Sequence, residues 1–148
     1  MTTMLEYIGY YRDETTGEIV HEFLMPLEKE FNLYITMDEY GILRFYLKSG
    51  YFYLLLGKYD LSLKDFIKEK PLLYVHSVPE DMQLPNLYYV CDFELAVKLL
   101  NDLYRFYLSL DIDTLREECT SMVSTILELL KKEAEKHTLI PFKEFLEK

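Results

Sequence analysis

The clearest local signal in the chain is FNLYITMDEYGILRFYLK, the stretch from residue 31 to residue 48. In its first part, apolar Leu33 and Ile35 alternate with more polar neighbours, and this two-residue period predicts a β-strand. Residues 38–41 (DEYG) are typical of a turn, because aspartate and glycine favour turn conformations. Alternation resumes over residues 42–48. The stretch is therefore predicted to form a β-hairpin.

Similar patterns flank this hairpin on both sides. Upstream, residues 5–12 and 18–24 alternate with period two around the polar turn formed by residues 13–17, which predicts an earlier hairpin. Downstream, Ser49 and Gly50 can supply a tight turn into residues 51–56. Together these segments predict a five-stranded antiparallel meander.

Between the meander and residue 91 the sequence predicts one short helix and two further strands. Asp60 or Ser62 can cap a helix that contains residues 63–67 and must end before Pro71. The segments that follow are predicted as a strand, a loop and a strand, over residues 72–78, 79–86 and 87–91.

After residue 91 the apolar period lengthens to three and four residues, which predicts helices. Asp92 can cap a first helix with the apolar stripe Phe93, Ala96, Val97, Leu100, Leu103, Tyr104 and Tyr107. A second helix carries the apolar stripe Leu115, Cys119, Met122, Val123, Ile126, Leu130 and Ala134. Because the link around residues 110–113 is short, the two helices are expected to pack as an antiparallel pair.

We therefore predict a single α+β domain over residues 1–148, in which a mostly antiparallel β-sheet is packed on one face by two long C-terminal antiparallel helices. Residues 1–91 are predicted to be mainly β with one short helix, and residues 92–148 mainly helical. A chain of this length can fold without disulfide bonds, so Cys91 and Cys119 are expected to be buried free thiols.

The acidity of the chain limits its possible partners. The formal net charge is −10, and because nucleic-acid binding depends on Lys and Arg, this charge disfavours nucleic acid and favours a basic protein. The first residues lack the features of a signal peptide, and no stretch approaches the roughly 20 apolar residues of a membrane span. We expect a cytoplasmic protein that does not interact with a membrane.

The sequence contains no motif typical of an enzyme. Its five glycines are isolated from one another, which argues against a phosphate-binding loop, and its His and Cys residues lack the paired spacing of a zinc site. His76 and Cys91 lie in predicted strands that could approach each other, although ordinary strand positions explain both. Adjacent carboxylates fall mostly at predicted turns, where solvated acids are expected. We predict no catalytic residue, no metal site and no cofactor.

Tyrosine is unusually frequent, at 14 residues. Because neighbouring residues of a strand face opposite sides of the sheet, Tyr10 and Tyr11 cannot both face the helices, and neither can Tyr88 and Tyr89. Some rings are therefore expected on the outer face, where tyrosine can supply contact area to a partner. The alternative is that tyrosine is present as a good strand former.

The leading hypothesis, from composition alone, is a non-catalytic acidic protein that binds and neutralises a basic macromolecule, as an immunity protein, a phage-borne inhibitor or a dedicated chaperone would. Two alternatives stay open: a homo-oligomeric structural protein such as a homodimer, and an enzyme or sensor with a small-molecule pocket between sheet and helices. The candidate partner-binding residues come from acidic and aromatic turns and strands, and they are Asp13, Glu14, Asp38, Glu39, Tyr40, Tyr10, Tyr46 and Tyr88.

Overall fold

The computed structural model describes residues 4–27, 31–49, 52–69, 73–75 and 93–136. The strands within these ranges are β1 (Glu6–Arg12), β2 (Ile19–Pro26), β3 (Asn32–Met37), β4 (Ile42–Ser49), β5 (Phe52–Asp60), β6 (Asp65–Lys68) and β7 (Leu73–Val75). The helices are α1 (Phe93–Ser109) and α2 (Ile112–Lys136). The predicted strand over residues 87–91 lies outside the described residues.

The strands form one antiparallel sheet in which β1 to β6 follow one another in chain order, and β7 pairs with β5. This confirms the predicted α+β class and the antiparallel meander. The first two hairpins have nearly the predicted bounds, because their strands alternate clearly and their turns contain Asp and Gly. The meander continues through a sixth strand that the sequence interpretation did not include.

The sixth strand, β6, replaces the predicted short helix. Asp60 does cap the segment, since its Oδ1 accepts a hydrogen bond from the Ser62 backbone N–H at 2.8 Å. The cap serves a single turn, however, and Lys64 then adopts a left-handed conformation with φ 52° that reverses the chain. Phe66 pairs with Tyr59 across the resulting hairpin and is buried. The helix prediction was wrong because a turn and a helix start with the same cap.

One face of the sheet, which we call the core face, holds the main hydrophobic core. Phe23, Ile35 and Phe45 lie opposite one another across β2, β3 and β4, and all three are fully buried. The buried residues that α1 and α2 add to this core are Leu103, Tyr107, Cys119, Val123, Ile126 and Leu130. Both helices therefore contact the sheet through the same core.

Helix α2 contacts both edge strands of the meander, β6 and β1. Near its start, Arg116 Nη2 lies 2.9 Å from Asp65 Oδ1 of β6, and near its end Glu133 acts electrostatically on Tyr7 of β1. The separation of 17 positions between residues 116 and 133 corresponds to a rise of about 26 Å along a helix. Six adjacent strands span about 24 Å. Helix α2 is thus long enough to cross the whole meander between its two edges.

The predicted apolar stripe of α2 is confirmed at Cys119, Val123, Ile126 and Leu130, which are all buried. In α1 the prediction was wrong for Tyr104, which is 52% exposed although it shares its spacing with buried Leu103 and Tyr107. Residues spaced by three and four cover a wider face of the helix than the face of α1 that contacts the sheet, so Tyr104, at the margin of the stripe, is exposed.

Helix α2 has 25 residues against 17 for α1, and the antiparallel pairing of the two stays a prediction. Among the described residues, neither helix has the length and apolar character needed to cross a membrane.

Candidate functional site

Three connections of the meander lie at one end of the sheet and form what we call the turn surface, residues 13–18, 38–41 and 60–65. Hydrogen bonds join them. The Ile19 backbone N–H, just after the first turn, donates to Glu39 Oε1 at 3.0 Å. The Leu61 N–H donates to the Gly41 carbonyl at 3.1 Å. The three turns are therefore one continuous surface.

The turn surface is strongly acidic. Its acids are Asp13, Glu14, Glu18, Asp38, Glu39, Asp60 and Asp65, and Lys64 is the only basic residue in the three segments. Asp38 pairs with Arg44 at 3.0 Å and Asp65 pairs with Arg116 at 2.9 Å. In the described part of the chain, no ion pair joins the other acids of this surface to a basic residue.

Asp13 and Asp60 build the turns that they occupy. Backbone hydrogen bonds from Thr16 and Thr15 to Asp13 Oδ1, at 3.1 and 2.8 Å, hold the pKa of this carboxyl below its usual value. The Ser62 hydroxyl and N–H do the same for the pKa of Asp60. Both carboxylates therefore keep their negative charge in mildly acidic solution.

Asp38, a predicted contact residue, is buried and serves the second turn. Its Oδ1 accepts hydrogen bonds from the N–H groups of Tyr40 and Ile42 at 2.9 and 3.0 Å, and its Oδ2 lies 3.0 Å from Arg44 Nη1. With these hydrogen bonds the carboxylate fixes the shape of the turn. Asp38 therefore shapes the turn that carries the exposed side chain of Tyr40.

Two large apolar side chains project from the turn surface. Tyr40 is 74% exposed and Leu63 is 65% exposed. Glu14 is exposed on the adjoining turn. Leu63 was not among the predicted contact residues, because its segment was interpreted as a helix. The structure therefore brings together Asp13, Glu14, Asp38, Glu39 and Tyr40, and it adds Leu63.

The remaining predicted contact residues lie elsewhere. Tyr10, 55% exposed on edge strand β1, has its ring centroid 5.8 Å from that of His21. Tyr46 lies on β4, on the opposite, outer face of the sheet, where it pairs with Tyr34. Tyr88 lies outside the described residues.

Tyr34, Tyr46 and Tyr53 form an aromatic cluster on the outer face. Their ring centroids are 5.0 to 6.2 Å apart, and Lys48 Nζ lies 5.8 and 5.5 Å from the centroids of Tyr34 and Tyr53. The Tyr34 hydroxyl donates to Glu22. Burial raises the pKa of Tyr34 and of Tyr53.

The predicted presence of tyrosine on the outer face is confirmed, but Tyr34 and Tyr53 are buried. These rings pack on one another and on Lys48, so they offer a partner little new contact area. Among the tyrosines that the structure describes on turns and strands, Tyr40 is the most exposed.

His21 is a buried polar residue on the core face that the sequence interpretation did not single out. The Tyr7 hydroxyl lies 2.6 Å from its Nδ1, and the ring centroids of Tyr7 and His21 are 5.5 Å apart. Burial lowers the pKa of His21 to about 4. The imidazole is therefore neutral at physiological pH, and its contact with Tyr7 links the side chains of β2 and β1.

Cys119 is fully buried in α2, as predicted for a free thiol. Burial, with a smaller contribution from Glu118, raises the pKa of Cys119 to about 12. Because the thiolate is the nucleophile, this thiol is unreactive at neutral pH. His76 and Cys91, which were considered as a possible catalytic pair and interpreted as ordinary strand positions, lie outside the described residues.

A cavity of about 390 Å³ lies between the core face and the helices. Both the sheet and the helices line the cavity. The lining residues of the sheet are Met25, Leu27, Leu33, Leu47 and Leu56, and those of the helices and their connection are Phe106, Ser109, Leu110 and Glu118. Several of these side chains are at the end of the sheet opposite the turn surface. The cavity and the turn surface are therefore separate features.

Neither a metal centre nor a relative identifies the chemistry of this protein. In residues 4–27, 31–49, 52–69, 73–75 and 93–136, no three His, Cys, Asp or Glu side chains are grouped so that they could hold a metal ion. Comparisons with models of protein families, with curated proteins and with solved structures found no match. A functional proposal must therefore come from the surfaces themselves.

Proposed function

We propose that this protein is a non-catalytic binding module that recognises and neutralises a basic protein through its turn surface. The observation that carries the proposal is the placement of exposed Tyr40 and Leu63 among acids that lack ion-pair partners in the described part of the chain. Apolar anchors surrounded by charge are typical of protein-binding surfaces.

The charge of the turn surface supports a basic partner. Glu14 and Asp13 lie on one turn and Glu39 on the next, and the chain as a whole carries −10. Complementary charge of this kind accelerates the encounter of two proteins and suppresses the binding of acidic competitors. The partner is therefore expected to present Lys and Arg around an apolar pocket.

The backbone of the turn surface supports a preorganised contact. Asp13, Asp38 and Asp60 each hold their own turn through hydrogen bonds, and the turns are tied to one another. A surface that is already ordered loses less conformational entropy on binding. Tyr40 adds a side chain with few rotatable bonds, which limits the same loss.

Capture of a partner from the native host by immobilised protein tests the proposal. We expect the double variant Glu14→Lys/Tyr40→Ala to lose the basic protein that the wild type retains at low salt. Glu128→Lys/Ile8→Ala is the matched control, because it reverses one charge and truncates one large exposed apolar side chain outside the turn surface. Retention of the basic protein by the first variant, or equal loss of it by both variants, would contradict the turn surface as the binding site.

A homodimer is the second candidate, favoured by two exposed apolar residues one turn apart on α1. Tyr104 is 52% and Leu108 is 64% exposed, and residues four apart lie on one side of a helix. If this stripe joins two copies, sedimentation equilibrium should give a dimer mass that falls to a monomer mass in Leu108→Asp. A monomer mass for the wild type at all concentrations removes this candidate.

A further inference from the structure

The cavity between the core face and the helices has the size and lining of a small-molecule site. Its volume of about 390 Å³ falls within the roughly 300–1,000 Å³ of ligand pockets. Most of its lining is aliphatic, from Met25, Leu33, Leu47 and Leu56, with the Phe106 ring of α1. The body of a ligand that fits this space must therefore be apolar.

The polar side chains of the cavity are both hydrogen-bond acceptors. The Ser109 hydroxyl donates its hydrogen bond to the Phe106 carbonyl at 2.6 Å. Toward a ligand, this hydroxyl can therefore only accept a hydrogen bond. Glu118 contributes a carboxylate, and no basic residue of the described chain forms an ion pair with it. A ligand that satisfies both groups must donate hydrogen bonds.

The C-terminal end of α1 is a second reason to expect a positively charged ligand in the cavity. The cavity is lined by Phe106 and Ser109 in the last turn of α1, and that turn contains no basic residue. The C-terminal end of a helix carries a partial negative charge that favours a nearby cation. Helix α1 and Glu118 of α2 thus contribute negative potential to the same otherwise apolar space.

We propose that this cavity binds a small amphipathic cation, an alkyl or aryl amine whose ammonium group pairs with Glu118 while its hydrocarbon part contacts Met25 and Leu47. This ligand is distinct from the basic protein proposed for the turn surface. The two sites lie toward opposite ends of the sheet, so either proposal can fail without the other.

Hexylamine, hexanol and hexanoate test the proposal, because they share one hydrocarbon chain and differ in charge. Binding is followed in the wild-type protein by the NMR signal of the Met25 methyl group, which reports on the cavity itself. We expect saturable changes in that signal with hexylamine, weaker binding of hexanol and the weakest binding of hexanoate. Failure of hexylamine to move the Met25 signal would overturn the proposal.

Glu118→Gln separates a specific ion pair from general attraction to an acidic protein. Because Glu118, like Glu117, is exposed to solvent, we expect the variant to weaken hexylamine binding only about five-fold and to leave hexanol binding unchanged. Glu117→Gln is the matched control, since it removes the same charge from an exposed neighbour that does not line the cavity. Equal affinities of hexylamine and hexanol for the wild type, or equal effects of the two variants, would also contradict the proposal.

Discussion

Gly57→Ala is expected to lower the free energy of unfolding by about 3 kcal/mol, the upper part of the usual range for overpacking a core. A Cβ at residue 57 would lie 2.4 Å from Phe66 Cζ and 2.7 Å from the Ile67 carbonyl oxygen. The backbone of Gly57 is not in the left-handed region, so the cost comes from these contacts. Urea unfolding followed by circular dichroism would measure it.

A Phe66→Leu background supplies the control for this substitution. Without the ring, the contact with Phe66 Cζ disappears while the contact with the Ile67 carbonyl remains. Gly57→Ala should therefore cost less in this background, and the difference is the coupling energy between residues 57 and 66. An equal cost in both backgrounds would show that the close approach of Phe66 to β5 does not set the effect.

Acidification from pH 6.5 to pH 4 is expected to remove about 3 kcal/mol of stability through His21 alone. Burial lowers the pKa of this residue from 6.5 to about 4, and a tenfold change in proton affinity corresponds to about 1.4 kcal/mol. In this interval the unfolded chain binds a proton that the folded chain does not. Stability is therefore greatest above pH 6.5 and falls as the pH decreases toward 4.

His21→Gln tests this assignment, because glutamine does not titrate and can still accept a hydrogen bond from Tyr7. The variant should be less stable at neutral pH but should lose less stability than the wild type between pH 6.5 and 4. The carboxyls of Asp13, Asp60 and Asp111, whose pKa values are lowered by hydrogen bonds, lose their contribution to stability below about pH 5, and this loss is the same in both proteins. Parallel pH profiles for the two proteins would contradict the role of His21.

The meander could be predicted from sequence because its signals are local. Residues 31–48 contain their alternation and their turn within one hairpin. Leu33 and Ile35, on the predicted apolar parity, are buried. Tyr34 and Thr36, on the other parity, are buried as well, which the alternation did not indicate. The segment after Asp60 could not be assigned in this way. This segment forms a strand rather than a helix because Lys64 adopts a positive φ, which lysine seldom does, and because Phe66 packs over Gly57.

The candidate site was only partly accessible from sequence for the same reason. The sequence shows that acids lie at the turns, but it does not show which residues of a turn are buried and which are exposed. Asp38 is buried against Arg44, whereas Tyr40, two residues later, is exposed. The cavity draws its lining from strands and helices distant in sequence, so no local pattern indicates it. Glu118 was interpreted as one of two solvated neighbours and lines that cavity.

The salt dependence of binding between this protein and the captured basic protein tests the central claim most directly. Titrations at low and high ionic strength should show affinity for the wild type that falls steeply with salt, because Glu14 is exposed, and Asp13 and Glu39 partly exposed, to the screening ions. At low salt, Glu14→Lys/Tyr40→Ala should bind at least about tenfold more weakly, and Glu128→Lys/Ile8→Ala should bind like the wild type. Affinity that is independent of salt, or equal in the two variants, would contradict the claim.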